Sequence, residues 1–79
     1  MLRKRSLSLS GHRTSIALEP EFWQAMEDIA KSRELSLSAL IADIDRGRPD
    51  NAGLAQALRV YALNWYRSEQ HPRAKLEDS

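Results

Sequence analysis

Between His12 and Ile41 the chain reads HRTSIALEPEFWQAMEDIAKSRELSLSALI, a short alternating stretch that runs straight into two compact amphipathic segments. Arg13, Ser15 and Ala17 alternate with Thr14, Ile16 and Leu18, so one face of the extended segment is largely polar and the other largely apolar. A lone strand leaves its backbone N–H and C=O groups without partners, and the helical sequence after Leu18 offers no nearby second strand. The expectation is that the same strand of a second copy pairs with it, as an antiparallel two-stranded ribbon. Ile16 and Leu18 would then lie on the helices, with Arg13 and Ser15 facing outward. A ribbon of that size fits the major groove of B-form DNA.

The helices can be placed from their punctuation. Pro20 suits the first position of a helix because its missing N–H has no acceptor to lose there, and Glu19 and Glu21 complement the positive end of the helix dipole. Phe22, Met26, Ile29 and Ala30 follow at helical spacing, Trp23 widens the stripe, and the helix should stop near Arg33. Ser36 is a good N-cap for a second helix, in which Leu37, Leu40, Ile41 and Ile44 recur at i, i+3, i+4 and i+7. Its end is marked by Arg46-Gly47-Arg48-Pro49, with Gly47 available as a C-cap. A third helix is expected after Asp50 or Asn51, to about Ser68, with Leu54, Leu58, Tyr61 and Trp65 as its stripe. Val60, Ala62 and Leu63 add apolar surface beyond that stripe, which points to more than one packing neighbour.

Segment by segment, residues 1–11 are expected to form a basic arm, 12–46 the core, 47–68 the additional helix, and 69–79, interrupted by Pro72, a frayed tail. Ser6, Ser8 and Ser10 alternate with Leu7 and Leu9, so the first segment is also a possible strand, with Gly11 as the turn of a local hairpin. Of the two, the arm is preferred.

A chain of 79 residues is one domain, and a monomer of that size buries only a modest core. It has no cysteine, so disulfides and thiolate metal sites are excluded, which fits a reducing cytoplasm. No apolar run approaches a membrane span, and Met1–Arg5 is followed by Ser-rich sequence unlike a signal peptide. The net charge of +1 hides a sorted layout. Residues 1–18 carry Arg3, Lys4, Arg5 and Arg13 with no acid, whereas residues 19–45 carry seven acids against Lys31 and Arg33. The basic segment is a candidate phosphate contact.

Enzymatic chemistry finds no support. No nucleophile elbow, phosphate-cradling glycine loop or paired metal motif is present, and a chain this short has little material for a closed pocket. His12 beside Gly11 reads as a turn residue, and His71 has no second ligand at useful spacing. No cofactor or metal is expected.

A strand leading to Glu19-Pro20-Glu21, an apolar helix, a short turn and Ser36-Leu37-Ser38-Ala39-Leu40-Ile41 resembles the ribbon-helix-helix family, the dimeric repressors and antitoxins of the Arc and MetJ type. The likeness covers about residues 12–46, and SLSLSGHRTS with the third helix is similar to a bacterial subgroup of short members. It implies a mainly α dimer with an intermolecular ribbon, binding double-stranded DNA as a transcriptional regulator of repressor type. Arg13, Ser15 and Ala17 would face base edges: a bidentate pair from Arg13 to guanine, a hydroxyl at Ser15, a methyl contact from Ala17 to thymine. The start of the second helix, Ser36, Leu37 and Ser38, would hold a backbone phosphate, joined by Arg3, Lys4 and Arg5 of the arm. Ile16, Leu18, Phe22, Met26, Leu40, Ile41 and Ile44 would form the dimer core. Two positions depart from the pattern. Glu34 stands where such turns often carry glycine, so a left-handed conformation there would be strained, and Ala17 removes a polar reader. An alternative is an antitoxin-like protein-interaction or dimerisation module whose third helix docks a protein partner.

Overall fold

The computed structural model describes residues 1–70; the tail assigned to residues 69–79 therefore lies almost wholly outside the described residues, and His71 with it. Two strands, β1 (Arg3–Leu9) and β2 (His12–Leu18), precede three helices, α1 (Pro20–Ser32), α2 (Leu37–Gly47) and α3 (Leu54–Gln70). The architecture is mainly helical, with one antiparallel hairpin packed on the helices.

The hairpin corrects the expectation of a basic arm. Residues 3–9 are a strand in place of a basic arm, and they pair with β2 of the same chain, Arg3 opposite Leu18 through Leu9 opposite His12. One edge of β2, the strand expected to pair with a second copy, is thus paired within its own chain. The reason lies in Ser10 and Gly11, whose φ angles of 52° and 85° form a two-residue turn with both central residues left-handed. Turns of that hand match the twist of the flanking strands, and closing so short a loop costs little entropy. Leu7 and Leu9 then join Ile16 and Leu18 on the inner face of the hairpin, where Leu9, Ile16 and Leu18 are buried.

Trp23 pins this hairpin to α1. Its ring is 2% exposed and its Nε1–H donates to the Arg3 carbonyl at 2.7 Å, so the buried indole loses no hydrogen bond. The Arg5 guanidinium lies 4.7 Å from the centre of the same ring and is held at 2.7 Å by Glu27. Trp23, which seemed only to widen the α1 stripe, is thus one of its buried anchors, and Phe22 is the half-buried member.

The helices start and stop for local reasons. α1 begins on Pro20 and ends in a left-handed turn at Glu34, φ 59°. There the Glu34 N–H donates to the Lys31 carbonyl and the Leu35 N–H to the Ala30 carbonyl, at 3.1 and 2.8 Å, closing the helix end. Ser36 caps α2, its hydroxyl accepting from the Ala39 N–H at 3.0 Å. Gly47 is the last residue of α2, not the residue beyond it, and α3 begins at Leu54, later than Asp50 or Asn51 would place it, after a turn over residues 50–52.

α3 completes the core. Leu58 and Ala62 are buried with Met26, Ile29, Ala30, Leu40, Ile41 and Ile44, while Tyr61 and Trp65 pack at its margin. Of the residues assigned to a dimer core, all but Phe22 are buried within a single chain. Two cross-links hold α3 in place: Arg59 to Glu19 at 2.9 and 3.2 Å, and Arg33 to the Tyr61 hydroxyl at 2.8 Å.

Candidate nucleic-acid interface

Because cross-strand partners share a face, the register sorts the hairpin into two sides. The inner side carries Leu7, Leu9, Ile16 and Leu18, with Arg5 at its edge. The outer side carries Arg13 opposite Ser8, Ser15 opposite Ser6, and Ala17 opposite Lys4. All of these but the half-buried Ala17 are exposed. The expected base-contacting residues Arg13, Ser15 and Ala17 are therefore together on one accessible surface, above a packed core.

Side-chain contacts tie the two strands across this surface. The Ser6 and Ser15 hydroxyl oxygens are 3.3 Å apart, and Arg13 Nη1 donates to the Ser8 hydroxyl at 3.5 Å, the outer limit of a useful hydrogen bond. The remaining guanidinium N–H groups of Arg13 are available to an external acceptor such as the O6 and N7 edge of guanine.

The phosphate-contact candidates separate into three groups. Lys4 and Arg3 are exposed at the open end of the hairpin, where they line a cleft of about 360 Å³ with Pro20 and Gln24. Arg5 lines the same cleft, but its guanidinium is committed to Glu27 and Trp23. Ser36, Leu37 and Ser38 form the start of α2, where first-turn N–H groups have no acceptor within the helix. The Ser36 hydroxyl is already engaged as a cap, so the amides of Leu37 and Ser38 are what that helix end offers to an anion.

Sequence reasoning passed over Ser6 and Ser8, and named Lys4 only as part of an arm. Lys4, Ser6 and Ser8 share the face of Arg13 and Ser15 only because Ser10-Gly11 closes the hairpin. The alternation of serine and leucine in SLSLS next to a glycine was the available signal.

A hairpin with one polar, cationic face, followed by a helix, a left-handed turn and a capped second helix, defines a small domain of the kind that presents a β-ribbon to DNA. The family model described as a ribbon-helix-helix domain matches residues 2–66, and the chain belongs to that family. The match takes in β1 and most of α3 as well as the strand and two helices between them. Ribbon-helix-helix domains bind DNA and act as dimers. Comparison with curated proteins and with solved structures gives no match. Among the described residues, no helix is long and apolar enough to cross a membrane.

Proposed function

We propose that this protein is a dimeric, sequence-specific binder of double-stranded DNA that acts as a transcriptional regulator of repressor type in a bacterial cytoplasm. The observation that carries the reading is the exposed outer face of the hairpin, where Arg13, Ser15 and Ala17 stand together over a core that needs none of them. Arg13 reads guanine, Ser15 bonds a neighbouring base, and Ala17 packs on a thymine methyl. Arg3 and Lys4 together with the α2 amides of Leu37 and Ser38 hold phosphates on either side, fixing the register of the protein on the duplex.

Arg13→Ala tests this against duplexes selected from a random-sequence library at fixed salt. A base-reading arginine gives a loss of about 1 to 3 kcal/mol per contact, with relaxed preference at one guanine and unchanged melting temperature. Undiminished affinity for the selected site would remove the hairpin from the groove.

A second reading, a protein-interaction module, draws on α3. Val60 and Leu63 are 48% and 56% exposed beside an apolar groove lined by Phe22 and Ala25 of α1. Such a module would keep its partner when Arg13 is replaced and lose it with Leu63→Glu, the reverse of the pattern expected of a DNA reader.

A further inference from the structure

β2 has one edge taken and the other open. β1 holds the first through a ladder from Arg3 opposite Leu18 to Leu9 opposite His12. A two-residue turn makes its flanking pair, Leu9 and His12, a hydrogen-bonded one, and such pairs alternate along an antiparallel ladder. His12, Thr14, Ile16 and Leu18 therefore turn their backbone groups toward β1, whereas Arg13, Ser15 and Ala17 turn theirs away. Among the described residues no strand lies on that second side and no backbone hydrogen bond is made from it.

A row of open N–H and C=O groups on an extended strand is a template for another strand. A second copy's β2 fits it: antiparallel pairing centred on Ser15, the middle residue of β2, satisfies Arg13, Ser15 and Ala17 of both copies at once. Such pairing accords with the dimers that ribbon-helix-helix domains form. β1 keeps its own edge meanwhile, because its departure would uncover Leu9 and leave the buried Trp23 N–H without the Arg3 carbonyl.

We propose that β1 is a flanking strand that grips the phosphates on the walls of the major groove. In the dimer the sheet runs β1, β2, then the second copy's β2 and β1, with the two β2 strands in the groove and Lys4, Ser6 and Ser8 of each copy on the backbone beside it. This rests on the DNA-binding reading above and extends it to two serines which that reading does not use.

Width separates the groove from its wall. Neighbouring strands lie about 4.8 Å apart, so the central pair fits a groove about 12 Å wide, whereas the two outer strands stand about 14 Å from each other. β1 therefore meets the rims, where the acceptors are phosphate oxygens. Antiparallel partners share a face, so Lys4, Ser6 and Ser8 look the same way as Arg13, Ser15 and Ala17, and none of these residues is acidic. The exposed hydroxyls of Ser6 and Ser8 are short donors that let the backbone come close, and exposed Lys4 is a point charge suited to a phosphate. Ser8 accepts from Arg13 at 3.5 Å, which leaves its own O–H to donate to an acceptor-only phosphate.

The test uses the full chain and a duplex selected by it from a random-sequence library at fixed salt. Ser6→Ala and Ser8→Ala should each weaken binding roughly five- to thirtyfold, since both copies lose a contact, with the salt dependence unchanged. Lys4→Gln should reduce the slope of log affinity against log salt by about two per dimer. Melting temperatures equal to the parent's establish that the hairpin is intact. Neutral methylphosphonates placed one at a time around the site then locate the contacts. In the parent, affinity should fall at two dyad-related groups of phosphates flanking the bases that Arg13→Ala relaxes, and each β1 variant should be insensitive to substitution at one position in each group. Equal penalties in parent and variants at every phosphate would leave β1 without a backbone contact and overturn the proposal, with the DNA reading intact wherever Arg13→Ala still relaxes a guanine. A parent protein that selects no sequence from the library takes both down together.

Discussion

Arg59, on α3, grips both carboxylate oxygens of Glu19, the residue before α1, across a separation of 40 residues in the chain. Its guanidinium also lies 5.9 Å from the centre of the Phe22 ring. The hydrogen bonds from Arg59 are the main cause holding the Glu19 carboxyl below the ordinary carboxylate range, helped by a backbone hydrogen bond and the Arg59 charge and opposed by desolvation.

That depression sets a pH dependence. A carboxyl whose folded-state pKa is lowered contributes stability that is fully present above its unfolded value, about 4.3, and is lost as pH falls through the folded value. Glu19→Gln mimics the protonated side chain. Urea denaturation should show the variant less stable than the parent at neutral pH, with the gap narrowing below about pH 4.3. A gap that stays constant across the acid range would remove Glu19 from this role.

Glu34 occupies a left-handed position at φ 59°, where an L side chain crowds the following carbonyl. Glu34→Gly should stabilise the protein by about 1 kcal/mol, read as a higher denaturant midpoint with unchanged slope. An unchanged or lower midpoint would mean that the carboxylate makes a compensating contribution.

Leu58 is fully buried and joins α3 to the α1–α2 core. Leu58→Ala should cost about 2 to 5 kcal/mol through lost burial and the cavity left behind. A loss below about 1 kcal/mol would show α3 to be an appendage on a core that is stable without it.

Arg5 and Lys4 are neighbours with different work. Arg5→Ala should lower stability by about 1 kcal/mol, because the guanidinium stacks on Trp23 and pairs with Glu27 in a half-exposed setting. It should leave the salt dependence of DNA binding unchanged, whereas Lys4→Gln should alter that slope and spare the melting temperature. The opposite assignment would make Arg5 the phosphate contact and Lys4 a surface charge.

The three helices, the two ends of α1 and the start of α2 were legible in the chain itself, whereas Gly47 falls inside α2 and α3 starts later than its apparent caps. Pro20, the strain to be expected at Glu34, the Ser36 cap and the Leu37-Leu40-Ile41-Ile44 spacing act within a few residues of one another, and local sterics and hydrogen bonding decide them. The alternation of residues 13–18 likewise determined which strand side chains face outward, since period two leaves no other choice once one face is buried. What pairs with that strand was not local. An alternating segment needs a partner whether it comes from the same chain or from another, and SLSLS followed by Gly11 was compatible with an arm as well as with a hairpin. Tertiary packing selected the hairpin, because only with β1 in place do Leu9 and the Trp23 N–H find their partners, and because α3 buries Leu58 and Ala62 against the same core. That choice brought Lys4, Ser6 and Ser8 onto the face of Arg13, turned Arg5 toward Trp23 and Glu27, and buried Leu9 beside Ile16 and Leu18.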